Sequence, residues 1–233
     1  ITGLSNSGQQ KYNNGNRELC LPGFSPTTRE KITQIADHAL AYNIYISIDF
    51  SRVTELIRIG RNAFYQSKLT ELDFSHNTKL ETIDSCAFIK SLLTTLNLSQ
   101  NTALTYIGES AFEWSKLTTL DLSQNTALTY IGNSAFQSSQ LTTLDLSQNT
   151  ALTYIGDSAF RIHQLETIDL SQLSALTYIG NASFAGLLGS MPTQTNLILP
   201  NSCDLRMIGN SAFGNVRITT PVLDFSACTQ LNH

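Results

Sequence analysis

Charge is scarce in this chain. Asp, Glu, Lys and Arg make up only 14% of its 233 residues, against about a quarter in ordinary globular proteins. The net charge is −4, so the chain has no basic field to grip a phosphate backbone, and nucleic-acid binding is not expected. Long apolar runs are lacking too. None approaches the roughly 18 residues of a helical membrane span. The first residues, ITGLSNSGQQKYNNGN, are polar and carry no signal-peptide pattern. Cysteine is confined to Cys20, Cys86, Cys203 and Cys228, with no CxxC pair and no metal-ligand spacing. That number cannot staple a chain of this size, so the fold must rest on its core. The four are expected to be buried thiols.

What the chain has instead is repetition. Residues 117–140 read LTTLDLSQNTALTYIGNSAFQSSQ, and 141–164 read LTTLDLSQNTALTYIGDSAFRIHQ. The two differ only at Asn133/Asp157, Gln137/Arg161, Ser138/Ile162 and Ser139/His163. Phe64, Phe88, Phe112, Phe136, Phe160 and Phe184 recur every 24 residues, and Phe213 follows after 29. A short insertion near 187–194 accounts for the longer step. A fixed period of this length is the mark of a solenoid, in which each unit buries its apolar edge only against its neighbours.

Each unit reads LxxLxLSxNxxLxxIGxxAFxxS. The LxxLxL part alternates with period two, a strand signal. Leu120 and Leu122 face inward there, while Thr119, Asp121 and Ser123 face out. About eight such strands are expected, from Ile46–Ser51 to Val222–Ser226, about 4.8 Å apart in one parallel sheet. The bulkier return side should leave that sheet concave. Asn77, Asn101, Asn125 and Asn149 share the position just after the strand, where a buried amide can satisfy turn carbonyls.

At this point the chain resembles the leucine-rich-repeat proteins, whose signature is LxxLxLxxNxxL. The trailing Ile131-Gly132-Asn133-Ser134-Ala135-Phe136 is similar to the BspA-like subclass of bacterial and protist surface proteins. The likeness covers about 44–231. The unit here departs from that subclass in carrying Ser and an Asn column where Pro and Cys are usual; only Pro200 sits at a strand exit. The resemblance implies an α/β solenoid, a right-handed coil with a parallel concave sheet, that binds other proteins.

The domain reading follows. Residues 1–16, rich in Asn, Gly, Gln and Ser, are expected to be a flexible segment. Residues 17–43 are expected to be a helical cap. Within them SPTTREKITQIADHALAY (25–42) has Ser25 and Pro26 at its start, and Ile32, Ile35, Ala36, Ala39 and Leu40 on one helical face. Residues 44–233 form the solenoid, whose last repeat is incomplete. The chain is then either part of a longer protein or is covered at that end by a partner.

Three surfaces are candidates for binding. The first is the outward side of the strands: Glu71, Asp73, His76, Thr95, Asn97, Gln100, Thr119, Asp121, Gln124, Thr143, Asp145, Gln148, Thr167, Asp169 and Gln172. Its Asp column places like charges about 5 Å apart. Water and neighbouring hydroxyls, a basic protein partner or calcium could each relieve that. The second is the Tyr column, Tyr106, Tyr130, Tyr154 and Tyr178, either an exposed adhesive edge or a packed ladder shielding the core. The third lies after each Phe, where the units diverge: Tyr65-Gln66, Glu113-Trp114 and Arg161-Ile162-His163.

Chemistry is not in view. The histidines His38, His76, His163 and His233 occupy unrelated registers, and the common nucleophile, metal, phosphate and dinucleotide motifs are missing. No cofactor, metal or catalytic residue is expected. The sequons at Asn97 and Asn181 would permit glycans in a secretory route, but a glycan on Asn97 would block the strand face. The expected function is a non-catalytic protein-interaction module, monomeric or in a heterocomplex. It would serve as a bacterial surface adhesin or secreted effector, exported from the cell, and its partner would have a basic surface. The alternatives are a structural or carbohydrate-binding array, and the repeat portion of a larger enzyme.

Overall fold

The computed structural model describes residues 3–4, 18–19, 32–45, 47–162, 165, 167–186, 193–200, 204–219, 226 and 228–231. Within them the chain winds as a parallel β-solenoid, one coil per repeat. No helix occurs among the described residues, so the fold is β strands and turns, not α/β. Each coil has three walls: the LxxLxL strand, the Tyr–Ile strand and the AFxxS turns.

The continuous sheet is on a different wall from the one the sequence suggested. Nine two-residue strands pair in parallel: Gly3–Leu4, Gln34–Ile35, Arg58–Ile59, Thr82–Ile83, Tyr106–Ile107, Tyr130–Ile131, Tyr154–Ile155, Tyr178–Ile179 and Met207–Ile208. On the LxxLxL wall the pairing is in pieces. Glu18–Leu19 pairs with Ser47–Ile48, and Glu71–Asp73 with Thr95–Asn97. Thr193–Ile198 pairs with both Thr167–Asp169 and Val216–Ile218. Between these lies one bridge, Asp121 to Asp145. The reason is visible in the hydrogen bonds. On this wall the central coils sit at the loose limit, with Thr118 N–H donating to Thr94 O at 3.5 Å and Thr142 N–H to Thr118 O at 3.3 Å. On the Tyr–Ile wall Gly132 N–H reaches Ile107 O at 2.8 Å.

Glycine serves that tight wall in most coils. A Cβ on Gly132 would lie 2.5 Å from the backbone N of Glu109, and one on Gly156 2.5 Å from that of Asn133. Backbone cannot give way as a side-chain tip can, so at these coils glycine permits the close approach; Asp84 holds the same position earlier in the stack and still donates its N–H to Ile59 O at 2.9 Å. Thr129, Thr153 and Thr177 add hydroxyl bonds to the carbonyl one coil back, at 2.9–3.1 Å.

The turn wall replaces the expected helical cap. Backbone N–H groups alternate between a bond within the coil and one to the next coil. Ala135 donates to Gly132 O and Gln137 to Ser134 O; Ser134 donates to Asp157 O and Phe136 to Ala159 O. This ribbon demands a left-handed residue every four positions, with φ 55° at Ser134 and 56° at Ser138. Of the described parts of the supposed cap, Glu18–Leu19 is a strand and 32–43 does the same as this ribbon. Gln34–Ile35 joins the nine-stranded sheet, and His38 and Leu40 donate to Arg61 O and Ala63 O. Ile35-Ala36-Asp37-His38-Ala39-Leu40 is thus a coil 24 residues ahead of Ile59-Gly60-Arg61-Asn62-Ala63-Phe64. Its i, i+3, i+4 spacing suits a helix and this ribbon alike, and the stacking partner decides between them. Residues 25–31 lie outside the described residues. So does most of the expected flexible segment, apart from Gly3–Leu4, which extends the same sheet.

The core is a set of ladders. Phe64, Phe88, Phe112, Phe136, Phe160, Phe184 and Phe213 stack face to face, with successive centroids 4.8–5.6 Å apart. Leu and Ile columns such as Leu120, Leu122, Leu128 and Ile131 fill the rest and are buried. The Asn column is confirmed: Asn125 Nδ2 donates to Leu98 O at 3.2 Å and Asn101 O at 2.8 Å, and Asn77, Asn101 and Asn149 repeat the pattern. One cysteine expectation fails. Cys86 is a free, half-buried thiol, but Cys228 is disulfide-bonded.

Candidate functional site

On the LxxLxL wall the alternation works as read. Leu72, Leu96, Leu120, Leu144 and Ile168 are buried, whereas Glu71, Asp73, Thr95, Thr119, Asp121, Thr143, Asp145 and Thr167 are exposed. Asn97 and Asp169 are half-exposed at the same position, and Gln100, Gln124, Gln148, Gln172 and His76 are exposed beyond it. The strand residues of this first candidate set therefore share one face, repeated at the coil spacing, and His76 and the four Gln follow them, exposed, in the turns.

The Asp column has a local duty the sequence did not reveal. The Oδ1 of Asp49, Asp73, Asp121, Asp145 and Asp169 each accepts the N–H two residues on, from Ser51, Ser75, Ser123, Ser147 and Ser171, at 2.8–2.9 Å. Asn97 does the same for Ser99 at 3.0 Å. These are Asx turns that close the strand exit. The bond favours the carboxylate: the Ser123 hydroxyl and N–H hold Asp121 below its ordinary value, and the Ser51 N–H does so for Asp49. Among the described residues no group of three or more His, Cys, Asp or Glu is arranged to hold a metal ion.

The Tyr column is a packed ladder. Tyr106, Tyr130, Tyr154 and Tyr178 stack with centroids 5.0, 4.6 and 4.7 Å apart and rings within 9° of parallel. They are half-buried, and Tyr178 Oη donates to Asp157 Oδ1 of the preceding coil at 3.3 Å. Burial, then the neighbouring rings, pushes Tyr154 up to about 12. Toward the N-terminus Arg58 takes the Tyr position and bridges Asp37 and Asp84.

The third candidate region follows each Phe on the turn wall. Trp114 is exposed there, its Nε1 donating to Glu113 Oε1 at 3.1 Å. Ile162 breaks the pattern. It is buried and is not among the left-handed residues, because a β-branched side chain disfavours positive φ. His163 lies outside the described residues.

The coil geometry, the LxxLxL alternation and the Asn ladder define a leucine-rich-repeat solenoid. The match to known families is specific: residues 25–104 and 105–232 match the BspA type leucine rich repeat region, in 6 copies. The chain belongs to that family. Among solved structures, the functional domain of InlJ from Listeria monocytogenes, which includes a cysteine ladder, is similar at 23% identity with a TM-score of 0.49. The similarity covers 86% of this chain and 43% of that one, so this chain spans less than half the neighbour's length. Curated protein sequences yield no match. Among the described residues no helix is long and apolar enough to cross a membrane.

Proposed function

We propose that this chain is a protein-interaction module that binds a partner through the outward side of its LxxLxL strands, as an exported bacterial surface protein or secreted effector. The observation that carries the reading is the face itself. Its Thr, Asp and Gln side chains are exposed in register, on coils whose backbone bonds and Phe stack leave little freedom. A pre-arranged surface loses little entropy on binding. The capped Asp carboxylates give it a row of negative charge, which suits a basic partner. Membership of a leucine-rich-repeat family agrees with protein binding, and a disulfide at Cys228 agrees with an oxidising compartment outside the cytosol.

The test is affinity capture with wild type and with a variant carrying Thr119→Ala and Asp121→Asn, Asp145→Asn and Asp169→Asn. Asn keeps the Asx turn, as Asn97 does naturally, while removing the charge. The variant should fold and lose the captured protein, and wild-type capture should weaken with salt. Equal capture by both proteins refutes the assignment of the strand face.

A further inference from the structure

Beside the strand face lies a second surface of different chemistry. Most coils have one residue before and one after a buried polar position on the turn wall: Tyr42 and Ile44 around Asn43, Gln66 and Lys68 around Ser67, Lys90 and Leu92 around Ser91, Trp114 and Lys116 around Ser115. Backbone bonds hold the rows together. Tyr42 N–H donates to Tyr65 O, Gln66 to Ile89 O, Lys90 to Glu113 O, Lys68 to Asn43 O and Leu92 to Ser67 O.

The composition of this strip is unlike that of the rest of the molecule. Tyr42 is 65% exposed, Trp114 53%, Ile44 50% and Leu92 39%. These are four of the seven large apolar side chains exposed among the described residues. Lys68, Lys90 and Lys116 are three of the six lysines in a chain of net charge −4, and none of them makes an ion pair with another described residue. Exposed Trp and Tyr set among unpaired cations form a rimmed anchor site, the arrangement that marks binding hot spots. The Thr–Asp–Ser–Gln face has no such anchors.

We infer that this strip binds an acidic segment of a partner protein, one that carries aromatic or aliphatic residues between its carboxylates. Charge selects the acidity, and Trp114 and Leu92 select the apolar residues. An anionic membrane fits less well. Surface attachment to such lipid takes roughly four to eight basic residues; this strip has three, with Glu113 fixed against Trp114. A second copy's strand face brings acidity, but among the described residues its one large exposed apolar side chain is Ile198, at one end and 37% exposed, which cannot answer Trp114, Tyr42, Ile44 and Leu92 together. The strip is separate from the proposed strand-face site and stands or falls independently.

Trp114 is the chain's one tryptophan, so its emission reports on this surface alone. The probe is the decapeptide Asp-Glu-Asp-Phe-Glu-Glu-Leu-Asp-Glu-Asp, titrated into the whole chain. Trp114 emission should shift to the blue and become shielded from acrylamide, and the effect should fade with added salt. The same peptide with Lys at every acidic position should do nothing. Replacing its Phe and Leu by Ala should weaken binding. A K68E/K116E double variant, on exposed positions that leave the circular dichroism unchanged, should bind the acidic peptide at least about tenfold more weakly. The inference is overturned by no response to the acidic peptide, or by an equal response to the lysine peptide. It is also overturned if only vesicles of four parts phosphatidylcholine to one part phosphatidylserine respond, or if the chain alone self-associates in sedimentation with the same emission shift.

Discussion

Asn125 offers the sharpest test of how this solenoid is held. Its Nδ2 donates to two carbonyls of the preceding coil, while its own Oδ1 is buried with no partner among the described residues. Both carbonyls also accept an N–H within their own turn, Leu98 O from Asn101 at 3.1 Å and Asn101 O from Leu104 at 3.0 Å. Leu173 stands in the same column and is buried, and it offers the carbonyls behind it no donor. Replacing Asn125 by Leu removes two hydrogen bonds, a loss of about 2 kcal/mol, but also removes an orphan oxygen whose burial costs about 1–3 kcal/mol. The net change should lie within about 1 kcal/mol. Asn125→Asp is nearly the same shape and should be far worse. It turns a donor into a charge facing two carbonyl oxygens, in a site with no access to water, so its folded-state pKa must rise. Below about 3.9 the carboxyl is protonated in both folded and unfolded chains and the charge penalty vanishes. Above that it grows by about 1.4 kcal/mol per pH unit until the raised folded value is reached, giving as much as about 4 kcal/mol at pH 7. Urea unfolding of the three proteins between pH 4 and 7.5, followed by Trp114 fluorescence and circular dichroism, measures this directly. If Asp costs no more than Leu, or if its deficit relative to wild type does not shrink as the pH falls, the ladder does not work through its N–H donors.

Three further outcomes follow from other ladders. Phe136→Ala should cost about 3–5 kcal/mol by opening a cavity in the middle of the ring stack, whereas Phe136→Leu should cost less than about 1.5 kcal/mol, since Leu40 fills that position in an earlier coil; calorimetry of both variants decides it. Ser134→Val should lose about 1–2 kcal/mol because a β-branched residue must take φ 55°, and Ser134→Asn should be neutral in the same denaturant assay. Asp157 is held below its ordinary value of 3.8 by the Asn181 side chain and then the Asn181 N–H. Its contribution is therefore present above that value and lost as acid titrates the folded carboxylate. Asp157→Asn, which copies Asn133 and Asn181 in the same column, should fold normally and be less acid-sensitive in a pH titration of circular dichroism.

Much of this architecture was legible because identical side chains recur at one interval. The Phe, Asn and Tyr ladders could be written down from spacing, and so could the buried and exposed halves of each LxxLxL strand. The coil at 35–40 was not legible because Ala36 and Leu40 replace Gly and Phe there, and the remaining spacing suits a helix. The Asx duty of the Asp column escaped because a carboxylate two residues before a Ser is too common a pattern to signal a turn. The Lys–Trp strip was half visible, since Glu113-Trp114 stood out as a divergence from the repeat. Its neighbours Tyr42, Lys68 and Leu92 come from other coils and meet it only after winding.

Periodicity alone decided that this chain is a leucine-rich-repeat solenoid, because a unit of 24 residues with one apolar edge has no other way to bury it. Which wall carries the continuous sheet was decided only in three dimensions. The sequence favours LxxLxL, whose strand pattern is the stronger. The coils nonetheless close more tightly along Tyr–Ile–Gly than along LxxLxL: on the first wall the missing Cβ lets backbones approach and the Tyr rings stack, and on the second the central coils stand slightly apart. That difference depends on the distance between coils, which no single repeat contains.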